Sequence, residues 1–175
     1  EPFLEEILDK LTRQAITYCE AQIEAGADII GIGDAACSLM GPAFYQRYGF
    51  PYEKRLVDAI HAAGALVKLH ICGNIQPLLP QIALLGADIV DADWMVDFRY
   101  ANEILRGRSA VCGNFDPVTV MLQGTPEGIQ NAVRACLEIG NATTLISGGC
   151  ETPPTTPYEN LQAVKLALQG FSQSQ

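Results

Sequence analysis

Apolar positions along this chain repeat with a helical period and then with a strand-like run, again and again. Over residues 4–25, Leu4, Ile7, Leu8, Leu11, Tyr18 and Cys19 recur at helical spacing, which predicts an amphipathic helix with that set on one face. Gly26 stops it, and residues 27–33 (ADIIGIG) are a short apolar run rich in β-branched side chains, the pattern of a buried strand. A helix over 53–63, opened by Pro51 and closed by Gly64, leads to a strand over 65–70. A helix over 77–85, closed by Gly86, leads to a strand over 87–91. A weaker helix over 97–106 leads to a strand over 109–112. Thr125 as N-cap and Pro126 at the first helical position open a helix over 126–139, which feeds a strand over 143–147. A last helix covers 158–169. The triplet Gly-Ala-Asp at 26–28 and again at 86–88 marks the hinge from helix to strand.

Strands alternating with helices at this pitch predict a parallel sheet with crossover helices. An open doubly wound sheet and a (β/α)8 barrel both satisfy the pattern, although no G-x-G-x-x-G opens any helix. The polar and unusual residues gather after the strands, as GDAACS (33–38), HICGN (70–74), DADW (91–94), CGNFDP (112–117) and SGGCETPP (147–154). Chemistry concentrated at the carboxyl ends of many strands is the habit of a barrel. The expectation is therefore an α/β chain, a single domain over 1–175, built as the C-terminal five βα units of a (β/α)8 TIM barrel. The first residue is Glu1 and the chain opens inside a predicted helix, which points to a piece of something larger. Such a piece would show apolar edges, and would aggregate, pair with a second copy as a homodimer, or need its complement.

Composition narrows the partners. Eleven basic residues against twenty acidic ones give a net charge of −9, which repels phosphate backbones and anionic lipid, so neither nucleic acid nor membrane is expected. Six cysteines in a core-rich chain of 175 residues read as reduced thiols of a cytoplasmic protein rather than as a disulfide framework.

Three residues form a candidate metal site. Alternate residues of an extended strand face the same way, so His70 and Cys72 point together, and Cys150 arrives from the end of the last strand. Imidazole with two thiolates suits Zn²⁺, and three protein ligands leave a fourth position open for substrate. The residues by themselves also fit small buried thiols beside a satisfied core histidine. Asp93 is a candidate fourth ligand or an acceptor for His70, or else a cap for the following turn. Glu151 adjoins a candidate ligand and shares those roles. Asp34, Asn74, Asn114 and Asp116 follow strands, where they line a substrate pocket or hold loop backbone. Cys37 and Cys112 lie near the mouth as spare ligands, Cys19 and Cys136 on apolar helix faces, and His61 at the surface.

At these residues the chain resembles the uroporphyrinogen decarboxylase superfamily, and within it the corrinoid-dependent branch that includes the methylcobamide:coenzyme M methyltransferases. The phrases EAGADII, HICGN, GADIVDADWMVD, GNFDPV and GGCETPPTTPYEN sit in the family's order from end to end. The resemblance implies a (β/α)8 barrel about twice this length. It also implies zinc held by His70, Cys72 and Cys150, a methylcobamide on a partner corrinoid protein as methyl donor, and a small thiol as acceptor. Decarboxylases resemble a Gly-His-Gly pattern where this chain has Gly149, Cys150 and Glu151, and they lack the His-x-Cys, which disfavours a metal-free lyase. A non-catalytic barrel piece that only keeps the metal-binding face is the third reading.

Overall fold

The computed structural model describes residues 2–172. Five strands form its sheet: β1 (Ile29–Asp34), β2 (Leu66–Ile71), β3 (Ile89–Ala92), β4 (Ala110–Phe115) and β5 (Leu145–Gly148). They lie in the order β1-β2-β3-β4-β5, and every neighbouring pair is parallel. That order decides between the two folds left open by the periodicity. A doubly wound sheet reverses its strand order at a switch point, whereas here each strand lies beside the next in sequence, as in a barrel wall.

The helices are α1 (Pro2–Glu24), α2 (Pro42–Tyr48), α3 (Phe50–Ala62), α4 (Leu79–Ile82), α5 (Phe98–Ile104), α6 (Pro126–Ile139) and α7 (Tyr158–Ser172). They cover the face of the sheet that carries Ile30, Val67, Leu69, Ile71, Val90 and Val111, all buried. Each such large side chain taken from water contributes roughly 1.5–3 kcal/mol, so this layer holds the sheet's curvature in place. The alternate positions look the other way. Ile29, Leu66 and Leu145 stand 46%, 47% and 45% exposed near the amino ends of their strands. Above them, toward the carboxyl ends, come Lys68, His70, Asp91 and Ser147. The sheet thus offers a greasy rung and then a polar rung on its uncovered face.

Four elements depart from the periodicity. The apolar stripe of α1 is covered only in part: Cys19 is buried, but Ile7, Leu11 and Tyr18 are 39%, 56% and 69% exposed. α1 packs chiefly on α3 and meets β1 only lightly, and β1 is an edge strand, so among the described residues nothing covers the rest of that stripe. The helix expected over 77–85 shrinks to a 3-10 turn (Gln76–Leu78) and the four residues of α4. Pro77 and Pro80 start turns well but lack the N–H that would extend them. α2 and a π-helical turn over Pro117–Leu122 have no counterpart in the expectation. α6 begins and ends where the sequence places it: Thr125 accepts from Gly128 N–H at 3.2 Å, and Pro126 is its first residue.

Candidate metal centre

His70, Cys72 and Cys150 meet at the carboxyl ends of the strands. His70 is the fifth residue of β2, Cys72 leaves that strand's end, and Cys150 follows β5. Cys72 Sγ lies 3.3 Å from His70 Nε2, Cys150 Sγ lies 3.6 Å from the same nitrogen, and the two sulfurs are 3.9 Å apart. Bond lengths near ~2.3 Å to sulfur and ~2.0 Å to nitrogen put tetrahedral ligands about 3.8 Å (S to S) and about 3.5 Å (S to N) apart. The observed triangle has the size of one face of that tetrahedron. The sulfur–sulfur distance is also well beyond a disulfide bond of about 2.05 Å. Burial first, then the Cys150 thiol, push the Cys72 thiol above its ordinary value.

The three donor atoms are aimed by the backbone. His70 Nδ1 donates to the main-chain oxygen of Asp91 at 3.1 Å, an arrangement that leaves the Nε2 lone pair facing the sulfurs. β2 and β3 pair His70 with Asp91 in register, so the sheet itself supplies this acceptor. Asp93, 3% exposed, accepts from Gly73 N–H at 2.7 Å and holds the turn directly after Cys72. Gly73 has φ +87°, a conformation open to glycine and strained for side chains. On the other side, Gly149 N–H donates to Phe115 O at 2.8 Å, and a Cβ on Gly149 would lie 2.2 Å from Trp94 N. Only glycine lets the chain before Cys150 pass that close.

A cavity of ≈ 370 Å³ opens beside the triangle, lined by Lys68, His70, Asp91, Ser147, Cys150 and Glu151 among others. Lys68 Nζ pairs with Asp91 Oδ2 at 2.7 Å, while Asp91 Oδ1 is buried with no hydrogen-bond partner. Asp91 and Ser147 lie in the polar stretches at 91–94 and 147–154 but were not singled out as site residues, and Lys68 was not marked at all. A lysine and an aspartate of inward parity inside apolar strands are the signal that finds them.

The remaining candidates take other places. Asp93 turns to the Gly73 turn and not to His70, whose acceptor is Asp91 O. Glu151 is exposed on the cavity rim. Asn74 is exposed and accepts from Gln76 N–H at 3.1 Å; Asp116 accepts from Val118 and Thr119 N–H at 2.7 and 3.1 Å. Asn114 donates to Asp93 O and Val96 O at 3.2 and 2.7 Å. These three hold loops and do not line the cavity. Asp34 belongs to a different cluster with Cys37, outside the triangle. Cys112 is buried and also outside the triangle; burial, then the Asp91 charge, push its thiol up. Cys19 and Cys136 are buried on their helices as expected, and His61 is exposed, 2.8 Å from Asp88. Among the described residues no helix is long and apolar enough to cross a membrane.

Comparison with known proteins adds the lineage. The family model described as uroporphyrinogen decarboxylase (URO-D) matches residues 2–170. The methylcobamide:CoM methyltransferase MtbA of Methanosarcina acetivorans is 35% identical over 164 residues, covering 93% of this chain and 48% of that protein. A uroporphyrinogen decarboxylase of Syntrophotalea carbinolica is 33% identical over 170 residues, covering 96% of this chain and 49% of that one. Among solved structures, a methyltransferase from Methanosarcina mazei superposes with TM-score 0.84 at 27% identity, over 92% of this chain and 47% of its own. The chain spans about half the length of the curated relatives it matches, and its five parallel strands match part of a barrel of that type. By sequence and by fold, the chain belongs to the uroporphyrinogen decarboxylase family.

Proposed function

We propose that this chain carries the zinc centre of a methyltransferase that moves a methyl group from a methylated corrinoid, held by a partner corrinoid protein, to a small thiol such as coenzyme M. The observation that carries the reading is the triangle of His70 Nε2, Cys72 Sγ and Cys150 Sγ, with sides of 3.3, 3.6 and 3.9 Å. A zinc ion there would supply a Lewis acid that keeps an incoming thiol deprotonated at neutral pH.

The chain's own residues prepare the place. The Asp91 carbonyl fixes the histidine tautomer, and Asp93 and Gly73 fix the turn that presents Cys72. The Lys68–Asp91 pair sets a charged floor on which a polar substrate tail can rest, with Ser147 beside it. Two protein thiolates and a neutral imidazole would together balance the charge of a divalent ion, a donor set suited to keeping a substrate thiol nucleophilic.

Decarboxylase relatives are nearly as similar as the methyltransferases, so a metal-free lyase is the rival reading. Zinc analysis separates the two. About one zinc per chain, lost on Cys150→Ser, is expected, together with methyl transfer from methylcobalamin to coenzyme M that the same substitution removes. Protein that binds no zinc at Cys150 would sink the proposal.

A further inference from the structure

We propose that Asp34, Cys37 and Glu53 form a second cation site, separate from the first, for a divalent ion of borderline softness such as Zn²⁺ or Co²⁺. Three elements deliver the donors: the end of β1 brings Asp34, the turn after it Cys37, and the first turn of α3 Glu53. One ligand atom from each lies within 4.8 Å of the others.

Following each oxygen shows what is left for a ligand. Asp34 Oδ1 accepts the N–H groups of Ala36 and Cys37 at 2.8 and 2.9 Å, and Oδ2 accepts from the Cys37 thiol at 2.9 Å, a bond that frees both atoms once the thiol proton leaves. Glu53 Oε2 accepts from the Tyr45 hydroxyl. Its Oε1 is buried and has no hydrogen-bond partner, although Glu53 as a whole is only 7% exposed. A buried acceptor without a donor is costly and calls for an occupant. The cations nearby in sequence are engaged elsewhere: Lys54 with Asp58, Arg47 with Glu5 and Arg55 with Asp9. Burial above all drives the Glu53 carboxyl up to about 7, with the Asp34 charge adding to it.

Two carboxylates and a thiol favour a zinc-like ion over Mg²⁺ or Ca²⁺, which prefer oxygen alone. Tyr45, fully buried, would orient Glu53 as an outer partner orients a ligand. A cavity of ≈ 510 Å³, lined by Thr12, Ile32, Asp34, Tyr52, Glu53 and Leu56 among others, leads to the cluster and leaves room for water as a further ligand. On binding, the Cys37 thiol proton leaves to solvent and the freed sulfur pair forms the bond to the ion. The rival occupant is a proton shared between Asp34 and Glu53.

Anaerobic Co²⁺ titration tests this, read by metal content and by the near-ultraviolet thiolate-to-cobalt band. The parent chain should take up two ions, and the variant H70A/C72S/C150S one, with the band retained. Adding C37S should remove the band, and adding E53Q should remove the ion. Y45F, which keeps the ring, should weaken binding about tenfold. No cobalt on the triple variant, or a band unchanged by C37S and E53Q, would mean that a proton occupies the cluster and would overturn the site. If the triple variant does not fold, E53Q alone decides: a fall from two ions to one supports the site, and no fall refutes it.

Discussion

Removing the Asp93 carboxylate should loosen the proposed metal centre without touching one of its three proposed ligands. Asp93 is 3% exposed and accepts from Gly73 N–H at 2.7 Å, one residue beyond Cys72. A hydrogen bond to a charged acceptor contributes about 1.5–3 kcal/mol, and Asp93→Ala also leaves that N–H without its partner. If most of this is felt as freedom of the Cys72 turn, zinc affinity should fall roughly ten- to a hundredfold, at about 1.4 kcal/mol per tenfold. Any part felt by the whole fold should lower the melting temperature by about 2–4 °C per kcal/mol for a chain of this size. Competition with a chromogenic chelator reads the affinity, and calorimetry of the metal-free protein reads the stability. Asp93→Asn keeps an acceptor oxygen and loses only the charge, so it should fall between parent and Asp93→Ala. Zinc affinity within about twofold of the parent in Asp93→Ala would refute the reasoning, because the turn would then hold Cys72 unaided.

Other perturbations follow from the same geometry. Gly149→Ala should abolish zinc binding while leaving a folded chain by circular dichroism, because its Cβ would meet Trp94 N at 2.2 Å. Leu85, fully buried between α4 and β3, should cost about 2–5 kcal/mol on change to Ala, measured by urea denaturation. Asp88 binds the His61 ring and the Val67 N–H, both at 2.8 Å. Burial works to raise its carboxyl, but these bonds prevail and hold it below the ordinary value of 3.8. Its stabilisation is therefore complete above pH 3.8 and is lost as pH falls through the lowered value. Asp88→Asn should lower stability at pH 7 and lose less of it on acidification than the parent, followed by denaturation from pH 6 down to the acid limit.

The alternation of helix and strand was legible because strands buried on the helix side of a parallel sheet must be short apolar runs, and glycines close the helices before them. α6 was legible to the residue because Thr125 and Pro126 act locally. α4 was overestimated, since its leucines suit a helix while Pro77 and Pro80 confine it to one turn. For α1 the sequence showed less: periodicity shows which face is apolar, and only the neighbours decide whether that face is covered. At the site, His70 and Cys72 were legible from strand parity, whereas Lys68 and Asp91 emerged only once β2 and β3 were set in register.

The sequence by itself determined the local chemistry of this protein: the α/β alternation, the placing of polar residues after strands, and a His-x-Cys whose side chains face the same way. These depend on spacing over a few residues, where backbone geometry leaves little choice. The tertiary structure decided the rest. It ordered the strands as a barrel wall and brought Cys150 within 3.9 Å of Cys72, across 78 residues of chain. It gave the Asp91 carbonyl to His70 and the Asp93 carboxylate to Gly73, and it packed Glu53 of α3 against Asp34 and Cys37. Contacts of this kind arise where separate elements meet, and no periodicity along one chain encodes which elements will be neighbours.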